Sequence, residues 1–198
     1  MFSKHKKKII YISVGVAILI VLYLLQNTSY LLRAFTFIFS VGLFYLADVF
    51  FSLRFKMSHY LILIFIATAG ILLSPLYFLS PNYDKILHLV SPFLIGILFF
   101  FLIDKTELKL STKLLMTFAV VIMSLSLFEI IEFLLDQLFD LKLQGVFIRD
   151  ISGIAKLNIV LDKNSDTMLD LILGTIGSLI FVGYKVVENW VKNRKKEN

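Results

Sequence analysis

Apolar residues along this chain fall in long blocks separated by short polar stretches. A hydrocarbon core about 30 Å thick is crossed by about 20 helical residues, each rising about 1.5 Å. Six runs meet that requirement: Ile9 to Leu25, Tyr30 to Leu53, Tyr60 to Leu79, Lys85 to Ile103, Leu114 to Leu135 and Thr167 to Val187. The pattern predicts an all-α, polytopic transmembrane bundle formed by residues 1–198 as one domain. The first run follows Lys4, Lys6, Lys7 and Lys8. It reads as a retained anchor, because no small-x-small cleavage site precedes Gln26-Asn27-Thr28-Ser29 and the run is long for a signal-peptide core. Pro75, Pro81 and Pro92 fall near the ends of the third and fourth runs, where they bend or start a helix without breaking a midspan.

Lysine and arginine decide the expected sidedness. Fourteen of the 20 lie in the N-terminal stretch, the Leu53–Tyr60 and Asp104–Lys113 connections and the tail from Lys185. The positive-inside rule then places both termini in the cytoplasm, as an even number of spans requires. The one long connection, Asp136 to Ser165, falls outside. It mixes Leu138, Phe139, Val146, Phe147 and Ile159 with charges and with Gly145 and Gly153, so it is expected to lie on the interface or to cap the bundle as a lid.

Composition supports the membrane reading: 59% of residues are hydrophobic and 17% charged, against roughly 45–50% and 25% in a soluble domain. Mean hydropathy is +0.88. The absence of cysteine removes disulfide scaffolds, thiolate metal sites and thiol nucleophiles. A formal charge of +6 does not imply nucleic-acid binding, because the cations sit at segment ends and not in a phosphate-tracking stripe.

Nine of the 14 acids map to the outer side on this topology, and six of them lie on polar helix faces. Asp84 and His88 are spaced i,i+4; Glu129, Glu132 and Asp136 are spaced i,i+3,i+7; Asp166 and Asp170 repeat i,i+4. For Asp84 and Asp166, each in a predicted first turn, helix-dipole compensation is an equally good account, with Ser165 as an N-cap. Glu129, Glu132 and Asp136 instead approach a helix C-terminus, where the dipole disfavours anions. Counting from Leu114, Glu129 lies about 23 Å into a core of roughly 30 Å. An acid there is protonated, faces water or meets a cation.

Lys85, Arg33 and Arg149 are too few to neutralise six carboxylates, and Lys85 points about 100° away from Asp84 on its helix. A divalent cation (Mg²⁺, Mn²⁺, Ca²⁺, or Zn²⁺ through His88) meets the need more simply. The candidate ligands are Asp84, His88, Glu129, Glu132, Asp166 and Asp170. Asp48 in the second run is either a proton-relay group or an acid hydrogen-bonded to a nearby Ser or Tyr. His5 and His59 read as solvated interfacial residues, Trp190 and the terminal tyrosines as interface anchors, and Gly174, Gly177 and Ser178 as a close-packing face.

The order Asp84-Lys85-x-x-His88, Glu129-x-x-Glu132-Phe133, Asp166-Thr167-Met168-x-Asp170-Leu171 and Gly174 resembles the YjdF-like family of small bacterial inner-membrane proteins, and more distantly the VanZ-like proteins linked to glycopeptide resistance and cell-envelope function. The resemblance covers about Leu79 to Gly177. It implies a multi-span fold in the bacterial plasma membrane and an acidic motif set, without a defined reaction.

Together these readings point to a metal-dependent hydrolase or transferase acting on a lipid or cell-envelope precursor. Glu132 would be the general base, with Glu129 and His88 beside it in the catalytic group. A cation- or proton-coupled transporter running inward through Asp48, and a non-catalytic envelope factor, remain open alternatives.

Overall fold

The computed structural model describes residues 28–139, 142–149 and 157–197, so the predicted first run, Ile9 to Leu25, lies outside the described residues. The chain is mostly helical, in the order α1 (Thr28–Phe50), α2 (Met57–Ala67), α3 (Pro81–Ile103), α4 (Leu110–Phe139), β1 (Val146–Arg149), β2 (Leu157–Leu161) and α5 (Lys163–Glu197). It divides into two compact units, the first ending at Pro75 and the second beginning at Leu76.

In the first unit Phe37, Val41 and Ala67 form a buried cluster flanked by Leu63, Ile64 and Ile71. The α1–α2 turn is tight, with Ser52 and Arg54 at positive φ. Asp48 ties it together: Oδ1 accepts the Phe55 N–H at 3.0 Å and Oδ2 accepts the Tyr60 hydroxyl. Of the two readings open for Asp48, the structure places the acid against a tyrosine. His59 departs from the solvated role expected of it. It is buried, packs edge-on to Phe55, and accepts the Lys56 N–H on Nδ1 at 3.0 Å, satisfying a donor at the start of α2.

The expected third span, Tyr60 to Leu79, is not one helix. The α-helix ends at Ala67, a π-helical turn follows over Thr68–Leu72, and a 3₁₀ turn begins at Ser74. Pro75 accounts for the stop after Leu72, since proline lacks an amide donor and disfavours helical geometry at the residue before it. The continuous piece, Met57–Leu72, is apolar but about 24 Å long, short of a 30 Å core. Among the described residues four helices are long and apolar enough to cross a membrane: α1 from Arg33, α3, α4 and α5.

The second unit is built from α3, α4 and α5. The small-residue face expected at Gly174 and Gly177 packs closely: a β-carbon at Gly174 would strike the Leu125 side chain, and one at Gly177 the Leu89 backbone carbonyl. A β-carbon at Gly96 would lie 2.8 Å from the Phe181 ring. Phe181, fully buried, packs edge-on to Phe93 and Phe100 and centres the apolar cluster with Leu114.

The connection between α4 and α5 is shorter than expected. Asp136 still belongs to α4, which runs to Phe139, and α5 begins at Lys163. Between them β1 and β2 pair antiparallel, Val146 opposite Leu161 and Arg149 opposite Leu157, with an irregularity after Val146. Asp162, not Ser165, caps α5: its Oδ1 accepts the N–H groups of Asn164 and Ser165, both at 3.1 Å. The Ser165 hydroxyl, and then those amide bonds, hold its carboxyl below the usual carboxylate range.

Candidate functional site

The starts of α3 and α5 and the late turns of α4 meet at one end of the second unit, and the acids converge there. Lys85 is the centre of the convergence. Its Nζ pairs with Asp84 Oδ2 at 3.0 Å, with Asp166 Oδ1, and with Asp170 Oδ1 and Oδ2 at 2.8 and 2.9 Å. The expectation that Lys85 points away fails because helical spacing fixes the direction of Cβ, whereas four methylenes carry the ammonium back across the face. One lysine thus neutralises part of what was assigned to a metal.

His88, one turn further along α3, faces three acids. Nε2 lies 3.4 Å from Asp84 Oδ1, and Nδ1 lies 3.7 Å from Glu129 Oε1 and 3.9 Å from Asp170 Oδ1. His88 is 9% exposed, Glu129 5% and Asp170 1%. His88 Nδ1 and Glu129 Oε1 have no hydrogen-bond partner among the described residues. A buried polar atom left unpaired costs about 1–3 kcal/mol, more when charged, so two such atoms facing each other require an explanation.

Of the six predicted ligands, Asp84, His88 and Asp170 each offer a donor atom within 4.8 Å of the others. Glu129 stands beside His88. Asp166 is committed elsewhere: one oxygen takes Lys85 and the other accepts the Gly145 N–H at 2.7 Å. Glu132 is half-buried and makes no hydrogen bond or ion pair among the described residues, so it borders the cluster without joining it.

Asp136, on the same sequence stripe, serves the loop ahead of the hairpin. It accepts the N–H groups of Leu143 at 2.7 Å and Gln144 at 3.2 Å and pairs with Lys163 at 2.9 Å. Gln144 in turn donates to Thr167 Oγ1 at 3.0 Å. Gly145, at φ +90°, turns the chain so that its amide reaches Asp166. This loop closes over the acidic end of the bundle.

Sequence reasoning missed Tyr77, which precedes α3 and packs edge-on to Tyr83 at 5.1 Å. Burial, then the charges of Asp84 and Glu132, hold its hydroxyl well above the usual range, so it remains a donor in the field of the acids. No signal marked it, because it fell inside a run read as membrane-spanning.

A family model described as "Predicted membrane protein (DUF2238)" matches residues 7–189. No curated protein and no solved structure matches the chain. The chain belongs to the DUF2238 family of membrane proteins.

Proposed function

We propose that this DUF2238 membrane protein is a divalent-cation-dependent hydrolase or transferase whose substrate is a phosphate- or ester-bearing lipid or cell-envelope precursor. The observation that carries the reading is the pair of buried, unpaired atoms, His88 Nδ1 and Glu129 Oε1, 3.7 Å apart within a set of five carboxylates and one lysine. A cation satisfies both atoms at once. The carboxylates suit Mg²⁺, Mn²⁺ or Zn²⁺ and the imidazole suits the last two better, and the bound ion would polarise the substrate's phosphoryl or carbonyl oxygen.

Glu132, close to the cluster but uncommitted, is the general base. It takes a proton from the attacking water as the new bond to phosphorus or carbonyl carbon forms. The bond to the leaving oxygen breaks, and that oxygen leaves with the proton Glu132 has just taken, which restores the carboxylate. The setting is a multi-pass protein of the bacterial plasma membrane with membrane lipids as its surroundings. The family match supports the YjdF-like resemblance and adds no support to the VanZ-like one. The transporter reading loses its inward step, because Asp48 is occupied by Tyr60 and the Phe55 amide.

The test is release of inorganic phosphate from a lipid monophosphate in mixed micelles, by full-length protein stripped of metal and then given Mg²⁺, Mn²⁺ or Zn²⁺. Glu132→Gln should lower turnover by about 10²–10⁴-fold, the usual contribution of general-base catalysis. A carboxyl ester of the same lipid tests the other substrate class. Turnover that persists in a chelator, or none of either substrate with any ion, overturns the reading.

A further inference from the structure

Resting on the cation reading above, the donor chemistry narrows both the ion and the residues that hold it. Asp84 Oδ1 lies 3.4 Å from His88 Nε2, while its other oxygen is held by Lys85. In the neutral ring, a carboxylate against Nε2 favours the tautomer with the proton on Nε2 and the lone pair on Nδ1. Nδ1 is then an acceptor facing two more acceptors, Glu129 Oε1 at 3.7 Å and Asp170 Oδ1 at 3.9 Å. Of these atoms Nδ1 and Glu129 Oε1 have no hydrogen-bond partner among the described residues, and two such acceptors facing each other in a buried site repel unless positive charge lies between them. Lys85 answers only part of that need: it holds Asp170 through both oxygens at 2.8 and 2.9 Å, but it has no ion pair with Glu129. The separations from Nδ1 exceed by a few tenths of an ångström the roughly 3.4 Å between neighbouring donors at a tetrahedral centre with bonds near 2.1 Å.

We infer that one transition-metal ion is held by His88 Nδ1, Glu129 Oε1 and Asp170 Oδ1, with Asp84 and Lys85 as positioning residues behind them. An imidazole nitrogen among the ligands suits Mn²⁺, Fe²⁺ or Zn²⁺ and disfavours the hard, oxygen-seeking Mg²⁺ and Ca²⁺. Asp84 orients the ring and is not a ligand, the arrangement in which a carboxylate behind a histidine sets the nitrogen that binds. Asp166 has each oxygen on a different protein donor, Lys85 and the Gly145 amide, and so is not a ligand, whereas the two Asp170 oxygens share a single ammonium.

The experiment loads the full-length, detergent-solubilised protein with Mn²⁺ alone, counts bound ions per chain, and reads ligand nitrogen by pulsed electron paramagnetic resonance. The expected result is one Mn²⁺ per chain with a single ¹⁴N coupling, not displaced by an approximately hundredfold excess of Mg²⁺. His88→Gln and Glu129→Gln should lose the ion. Asp84→Asn should bind about 10–100-fold more weakly while keeping the nitrogen coupling, and Asp166→Asn should keep one ion per chain. Bound Mn²⁺ without nitrogen coupling, displacement by Mg²⁺, retention of the ion in Glu129→Gln, or no ion on folded wild type would each overturn the assignment. Should a variant fail to fold, the wild-type nitrogen signal and the Mg²⁺ competition decide the matter alone. An all-oxygen Mg²⁺ site with intact turnover sinks this assignment and leaves the proposed function standing. A nitrogen-ligated Mn²⁺ site without hydrolysis does the reverse.

Discussion

At the scale of single residues, the acids were legible and their partners were not. Spacing alone placed Asp84 with His88, and Asp166 with Asp170, on common faces, and the structure brings all four together with Glu129. It gave no hint that Lys85 reaches three aspartates, because side-chain reach is not encoded in periodicity. Removing that ammonium should expose the mutual repulsion of the carboxylates. Lys85→Met is expected to destabilise the protein by about 3 kcal/mol, the lower end for breaking a partly buried ion pair. The loss should shrink when Mn²⁺ supplies positive charge in its place. Thermal unfolding in detergent with and without Mn²⁺ measures both effects, and a Lys85→Met midpoint equal to wild type would remove Lys85 as the counter-ion. Asp48 makes the complementary case. Tyr60→Phe should cost about 1–2 kcal/mol, the penalty for withdrawing one hydrogen bond from a carboxylate, with metal content unchanged. A change in metal content would tie Asp48 to the acidic cluster and contradict its local role in the α1–α2 turn.

Between residues and the whole chain lie the elements, where hydropathy found the helices but not their ends. Pro75 breaks the third run at a place that mean hydropathy does not register. Leu138 and Phe139 extend α4 past the point where acids suggested a loop, because Asp136 finds two amides and Lys163 instead of water. The small-residue face of α5 was legible, and it supports a paired prediction. Gly177→Ala drives a methyl into the Leu89 carbonyl and forces α5 away from α3, at an expected cost of about 1–3 kcal/mol. Gly183→Ala, on the same helix with nothing within 4 Å of the added carbon, should instead be neutral or stabilising by up to about 1 kcal/mol. Comparing the two unfolding midpoints isolates close packing from helix propensity. Equal shifts would mean that the α3–α5 approach is looser than the structure has it.

On the scale of the molecule, polarity is inverted relative to a soluble fold. Ile130, Ile131, Phe133, Leu134 and Met168 are exposed while Glu129, Asp136, Asp166 and Asp170 are buried, so the apolar surface faces outward and the charges face inward. That inversion needs an apolar solvent, and the acidic end needs a side. The connection joining α3 to α4 carries Lys105 and Lys109, with Lys113 just inside α4, and the tail from Lys185 carries five more cations at the opposite end from the acids. The positive-inside rule therefore expects the acidic end, with Asn164, to face out and Glu107 to face the cytoplasm. Because the chain has no cysteine, single substitutions report without background. In intact cells a membrane-impermeant maleimide should label Asn164→Cys directly, and Glu107→Cys only after permeabilisation. The reverse pattern would turn the site toward the cytoplasm, where its substrate would be a precursor on the inner leaflet and not an exported one. Labelling of both positions in intact cells would mean that α4, the helix between them, does not cross the membrane at all.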